Sequence, residues 1–323
     1  MAKPISFASF NLYNFQYKGQ KVYKRVTPED EYNNKVKWVR AQLIALNADV
    51  VALQELWDKR CLEDVLADTP ELADYQPYYL ADSWYNIAVA ALVRKPWRVK
   101  SKKVIKKFPF TNLNKVDQGD GEDDEVEVKI EQFSRSILRL KLEHTASATT
   151  PDIMVFCCHL KSKLPTDIKK GIPKAHKPAV GAAISTIRRT AEAAALRWIL
   201  NKHMKGANSI PTVVLGDLND DPRSNTVAIL TEQPTLQSSA TGADEALYSA
   251  LQLHQLKSFR DVYYTHEFKD QRDAIDHILV SEEFFEHSRD KRWRLRDVKI
   301  WNDHIHNESR EQSDHGLITA YFV

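Results

Sequence analysis

The chain has 323 residues, of which 43% are hydrophobic, enough for a large buried core. Charged residues make up 28%, yet the formal net charge is only +2, which excludes a histone-like polycation. Any grip on a polyanion must therefore come from a local basic surface.

The amino terminus runs from Met1-Ala2-Lys3-Pro4 straight into ISFASFN. It lacks the apolar core and small-residue cleavage site of a signal peptide. That implies a cytoplasmic protein, or a secreted one if these residues stand in place of a removed signal. No stretch approaches the length of a membrane-spanning helix. The first strand is predicted over Ile5 to Phe10, rich in aromatic and β-branched residues, and ends at Asn11. Thr27-Pro28-Glu29-Asp30 reads as a helix start with a capping Thr. Val36, Val39, Leu43 and Leu46 continue at helical spacing. A buried strand, Val50 to Leu53, follows and ends in Gln54-Glu55.

Further strands are predicted at Ile87 to Val93, Val99 to Ile105, Ile137 to Leu142 and Ile153 to Cys158. The acidic segment 117–127 reads as a solvated loop or hairpin tip. The Lys- and Pro-rich segment 161–181 reads as a long exposed loop. A helix follows, with Ile184, Ile187, Ala191, Ala194 and Trp198 on one face. Thr212 to Leu215 is a strand ending in GDLND. Ile275 to Val280 and Leu317 to Val323 are the last strands. Cys61, Cys157 and Cys158 argue against a disulfide framework. Cys157 and Cys158 fall on opposite faces of one strand, and no Cys-x-x-Cys suggests structural zinc. No repeat, low-complexity tract or linker appears. The length prior of about two domains gives way to one α/β domain spanning 1–323.

The placement of the polar residues carries the functional argument. Asn11, Glu55, His159, Asp217 and Asn219 lie at or just beyond the carboxyl ends of apolar strands. Asp276 sits within RDAIDHILVS, and Asp314-His315 immediately precede the last strand. Singly, each is ordinary: a strand ending in Asp or Asn is usually turn chemistry. Together they suggest one shared site at the edge of a sheet. Oxygen donors of this kind suit a hard cation such as Mg²⁺ or Mn²⁺, with Ca²⁺ a third candidate.

SFASFNLYNF, VVALQELW, FCCHLKSK, VVLGDLNDDP, DAIDHILVS and SDHGLITAYF occur in that order. They resemble the successive motifs of the endonuclease/exonuclease/phosphatase superfamily. That superfamily includes deoxyribonucleases related to the pancreatic enzyme, abasic-site endonucleases, sphingomyelinases and inositol-polyphosphate phosphatases. The resemblance spans Phe7 to Phe322 and implies a four-layer α/β/β/α sandwich, an α+β arrangement of two packed mixed sheets. It also implies roles. Asn11, Glu55 and Asp314 match the metal-binding positions. Asp217 would orient or deprotonate the attacking water. Asn219 would hold that water or a phosphate oxygen. His159 would contact the phosphate and help protonate the leaving oxygen. His315 would contact the scissile phosphate, with Asp276 fixing its tautomer. A dication and imidazolium groups would then neutralise charge at phosphorus, without a covalent intermediate. Arg135 and Lys161 are candidates for gripping the substrate phosphate, as is Asn86. A surface role is the alternative for Arg135. His277 should point away from Asp276, and His304 and His306 read as solvated loop residues.

Three basic stretches, 94–103, 161–177 and 289–299, mix Lys and Arg with Trp97 and Trp293. This mixture suits a nucleic-acid backbone and its bases, although each stretch could equally be an ordinary solvated face. YYTHEF also resembles a run in bacterial extracellular-type nucleases of the superfamily. The expectation is a monomeric nuclease acting on DNA, with RNA also open and no obligate protein partner. The alternatives are a sphingomyelinase-type lipid phosphodiesterase, an inositol-polyphosphate phosphatase, or an inactive nucleic-acid-binding scaffold.

Overall fold

The computed structural model describes residues 2–80, 87–111, 113–115, 126–206, 209–236, 241–256, 263–268, 271–305 and 309–323. In chain order the main elements are β1 (Ile5–Phe15), α1 (Glu29–Leu46), β2 (Val50–Leu56), α2 (Lys59–Leu66), β3 (Tyr75–Tyr79), β4 (Ala88–Arg94) and β5 (Trp97–Lys107). Then come β6 (Gln132–His144), β7 (Ile153–His159), α3 (Lys177–Met204), β8 (Thr212–Asp217), α4 (Asn225–Thr231), β9 (Tyr248–Ser249), α5 (Ala250–Gln255), β10 (Asp276–Val280), β11 (Leu295–Trp301) and β12 (Leu317–Phe322). One six-stranded sheet has the order β11-β12-β1-β2-β4-β3, and the other β9-β10-β8-β7-β6-β5.

Strand side chains alternate between faces, so each sheet has two apolar surfaces to bury. Phe7, Val50, Ala52, Val155, Cys157, Val213, Leu215, Ile278 and Ile318 face inward and form the core between the sheets. On the outer face of the first sheet, Ala8, Phe10 and Val51 meet Val36, Val39 and Leu43 of α1 and Leu62 of α2. On the outer face of the second, Phe156, Cys158 and Val214 meet Leu196 and Leu200 of α3 and Val227 of α4. The result is the α/β/β/α sandwich. All three cysteines are buried and free.

Several local expectations are corrected. Thr27 does not cap α1; its hydroxyl donates to Gln16 Oε1 at 3.2 Å, and Pro28 occupies the cap position. The exposed loop after β7 stops short of 181, because a helical turn begins at Lys174 and α3 at Lys177. The bulky face assigned to α3 is partly the wrong one. Ile184, Ile187 and Trp198 are 41%, 46% and 52% exposed, while Ala191, Ala193, Ala195, Leu196 and Leu200 are buried. Small alanines let the helix lie close on the sheet, so bulk did not mark the buried side. Trp97 and Trp293 are buried core residues. Trp293 stacks on Phe284 and donates its Nε1–H to Lys3 O at 2.9 Å, so neither tryptophan can stack on a base. Most of the acidic segment, 117–125, lies outside the described residues; it is flanked by an antiparallel pair, Leu113–Lys115 with Val126–Val128. Strands β3, β9 and β11 were not anticipated: Pro77 interrupts the first, β9 is two residues long, and Arg296, Asp297 and Lys299 break up the apolar run of the third.

Gly216 sits beside Cys158 in the parallel β7–β8 register. Its φ is +140°, and a Cβ there would lie 2.0 Å from Cys158 O. Gly216→Ala should therefore destabilise the fold by roughly 3 kcal/mol or more. Urea unfolding measures this, and an unchanged midpoint would show that the two strands can separate cheaply.

Candidate active site

The site is the polar end of the inter-sheet core. The parallel register pairs His159 with Asp217, and the antiparallel register pairs Asp217 with Asp276. Three neighbouring strands thus deliver three polar side chains to one edge. From the facing sheet, Asn11 Nδ2 donates to Asp217 Oδ2 at 3.1 Å, which ties the sheets together. Asn11 Oδ1 accepts the Tyr13 N–H at 2.9 Å. Asn11 therefore presents its amide nitrogen to Asp217 and uses its oxygen within its own loop.

Asp217 Oδ1 accepts the Asn219 backbone N–H at 2.8 Å. Asn219 has φ +55°, so the two residues meet through a turn and not through the same face of an extended segment. The Asn219 side chain donates to Leu160 O at 3.1 Å. The same carbonyl receives Arg135 Nη1 at 3.0 Å, while Arg135 Nε is buried with no partner among the described residues. Glu55 departs from alternation in the same way. Gln54 points inward and is fully buried; Glu55 would point outward, but its φ of +62° turns it. Its Oε2 accepts the Asn14 N–H at 2.8 Å, and its Oε1 lies 3.9 Å from His159 Nε2.

His315 Nδ1 donates to Asp276 Oδ2 at 2.8 Å. The His315 backbone N–H donates to Ser313 Oγ at 3.0 Å, and that hydroxyl donates to Asn11 O at 2.7 Å. Asp314 Oδ1 stands 4.0 Å from His315 Nε2. Desolvation sets the charge states. Burial, then the Asp276 charge, push the Asp217 carboxyl up to about 7. Burial pulls His315 down, but the Asp276 charge and hydrogen bond outweigh it and hold the imidazole well above its ordinary range. Burial, with Arg135 adding to it, holds His159 well below its ordinary range. His159 is therefore a neutral imidazole beside Asp217, 3.4 Å from its Oδ2, and only His315 is the charged imidazolium of the pair.

The family profile of the Endonuclease/Exonuclease/phosphatase family matches residues 8–315. The chain belongs to that family. Its members are hydrolases of phosphodiester bonds and use divalent metals. Among solved structures, humanized TDP2 from D. rerio carrying 14 mutations is 14% identical, with 99% of each chain covered and a TM-score of 0.59. An endonuclease/exonuclease/phosphatase from Bacteroides vulgatus is 15% identical, with 99% of each chain covered and a TM-score of 0.58. D. rerio TDP2 complexed with single-strand DNA product is also 15% identical, with 99% of each chain covered and a TM-score of 0.57. These likenesses bear on the fold. No curated protein matches the sequence.

The family's divalent cation fits the residues present. Asp276 Oδ1 and Asp314 Oδ1 are buried atoms without hydrogen-bond partners among the described residues. Donor atoms of Asp217, Asp276 and His315 lie within 4.8 Å of one another, and so do those of His266, Asp314 and His315. Carboxylate oxygens suit Mg²⁺ or Mn²⁺; the protonated His315 would stand beside the cation and not ligate it.

Not every candidate reaches the cluster. The Lys161 ammonium bonds Ser162 O and Leu164 O at 3.3 and 3.2 Å, so it is engaged by its own loop. Asn86 and His306 lie outside the described residues. Other participants were not anticipated. His304 is no solvated loop residue; its Nε2 donates to His315 O at 2.9 Å. Buried Glu192 accepts the Ser134 and Lys161 N–H groups at 2.7 and 2.8 Å, bracing the segments that carry Arg135 and His159. Its only sequence signal is an acid amid the alanines of α3. Lys35 is buried and bonds Tyr13 O at 2.8 Å; burial pulls its pKa down to about 8 against the pull of Asp314 and Glu55.

His277 faces away from the cluster, and its Nε2 donates to Asp220 O at 2.7 Å. Its Nδ1 has no partner among the described residues, and burial holds its pKa below the ordinary 6.5. The unfolded chain accepts a proton that the native state refuses. The stability contributed is therefore present above the unfolded pKa and lost as pH falls below it. Thermal unfolding in EDTA between pH ~7.5 and ~5.5 should show less acid destabilisation in His277→Gln than in the parent. Parallel curves would remove His277 as a source of the slope.

Proposed function

We propose that this family member is a divalent-cation-dependent nuclease acting on nucleic acid, DNA first. The observation that carries this reading is Asp217, a buried carboxylate held between Asn11 and Asn219 and facing the His315–Asp276 pair. The substrate class is supported by the similar fold of D. rerio TDP2, which is seen with a single-strand DNA product.

In this reading Asp217 takes the proton of the attacking water. Its elevated pKa suits proton transfer near neutral pH. Asn11 and the Asn219 N–H hold its two oxygens apart and fix its direction. His315, locked through Nδ1 by Asp276, presents its Nε2–H to the scissile phosphate. Its positive charge opposes the negative charge that builds at phosphorus. His159 stays neutral and orients Asp217. Arg135, with its Nε unpartnered, offers a second donor to a phosphate oxygen. Glu55 and Asp314 are the residues that would hold Mg²⁺ or Mn²⁺, which when bound supplies further positive charge against the phosphate.

The test is hydrolysis with Mg²⁺, Mn²⁺ or EDTA on plasmid DNA, single-stranded RNA, sphingomyelin and a soluble inositol polyphosphate. EDTA-sensitive nicking of DNA is expected. Asp217→Asn and His315→Ala should each lower kcat by about a thousandfold, with Tm little changed. Cleavage of sphingomyelin or the inositol phosphate with nucleic acid intact would replace the nuclease reading by a lipid or inositol-phosphate one.

A further inference from the structure

Burying an ammonium is costly unless its donors are satisfied, and α1 carries one on its buried face. Lys35 falls between Tyr32 and Val36, whose neighbours Val39, Leu43 and Leu46 are all core residues. Its Nζ donates to Tyr13 O at 2.8 Å and Arg310 O at 3.2 Å, and it lies 5.4 Å from the Tyr13 ring centre. No carboxylate pairs with it directly among the described residues. The charges that act on it most are those of Asp314 and Glu55, then Glu31.

Tyr13 O belongs to the turn that hydrogen-bonds Glu55, and Arg310 O to the run that leads to Asp314. Tyr13 and Asn14 both have left-handed backbone, φ +49° and +51°, a conformation that costs free energy for residues other than glycine. That turn aims the Asn14 N–H at Glu55 Oε2, and its Asn14 side chain accepts Trp57 Nε1–H at 3.0 Å. Arg310 begins the short run to Asp314. We propose that Lys35 is a positioning residue for the cation site: its ammonium clamps the Tyr13–Asn14 turn to the Arg310 segment and so fixes Glu55 and Asp314 relative to each other. This rests on the reading of Glu55 as a cation ligand. Removing such outer support lowers metal affinity by about 10- to 100-fold in other metalloenzymes.

The experiment titrates Mn²⁺ alone into substrate-free protein by calorimetry, with the Tm of the metal-free protein measured alongside. Lys35→Met should bind Mn²⁺ at least ~10-fold more weakly than the parent. Lys35→Gln, which keeps a donor in the cavity, takes its place if the methionine variant does not fold, with the same expectation. Glu55→Gln should weaken Mn²⁺ binding by itself, and Lys35→Met in that background should add less than it costs alone, because part of its effect runs through Glu55. A lowered Tm with unchanged Mn²⁺ affinity would overturn the proposal, since Lys35 would then serve folding alone. So would losses that simply add in the double variant. Unchanged Mn²⁺ binding in Glu55→Gln would instead overturn the ligand reading, and the positioning role with it.

Discussion

Two sheets packed face to face impose one constraint on every strand: the inward row must be apolar, or its polar groups must be satisfied inside the sandwich. Most of each row obeys the first option. On β8 the row is Val213, Leu215, then Asp217; on β7 it is Val155, Cys157, then His159. β10 runs the other way, so its row reads Val280, Ile278 and then Asp276 toward the same edge. On β1 Ile5 and Phe7 give way to Ser9 and Asn11. The site is the last layer of the core, in which the second option replaces the first. Its side chains are as desolvated as the leucines behind them, which strengthens each hydrogen bond and penalises each missing one.

That shared desolvation gives neighbouring groups different charge states. Burial alone would make Asp217 and both histidines neutral. His159 follows that tendency, but His315 does not, because Asp276 sits 2.8 Å from its Nδ1. One strand position therefore decides which imidazole is charged. The backbone is bent to the same end. Tyr13, Asn14, Glu55 and Asn219 all have positive φ, and each lies at or beside the cluster. Strain of this kind persists where surrounding bonds over-determine it, and here the bonds run to Asp217, Glu55 and Lys35.

Much of this was legible in the sequence because apolar runs ending in Asp, Asn or His survive as a linear signal. The strands bearing Asn11, His159, Asp217 and Asp276 were placed correctly for that reason. What was illegible depends on geometry that has no period. Simple alternation would have sent Glu55 away from the site; a left-handed residue returns it. Glu192 and Lys35 look like surface charges on helices, and only the packing of α3 and α1 against the sheets shows that they are buried. The face of α3 was misjudged because alanines pack closely while Ile184 and Trp198 stay exposed. The tryptophans of the basic stretches gave the opposite error, since composition cannot separate a base-stacking aromatic from one stacked on Phe284.

Those buried aromatics change where attraction for a phosphate must originate. β5 is an edge strand whose Lys100, Lys102, Lys103, Lys106 and Lys107 are exposed, and lysines on an edge discourage pairing with another sheet. Their presence is explained without a nucleic-acid partner, and surface charges of this kind are weakened by salt. The cations at the site differ. Arg135 and Lys35 bond carbonyl oxygens and, among the described residues, neither is ion-paired. His315 is paired with Asp276 at 2.8 Å and lies 4.0 Å from Asp314. Positive charge placed under the carboxylates in a water-poor layer is screened less than charge on the strand edges. A protein with a net charge of +2 can thus favour an anionic phosphate at one point without being basic overall. It follows that the interior, and not the exposed lysines, is where an anionic phosphate would be held.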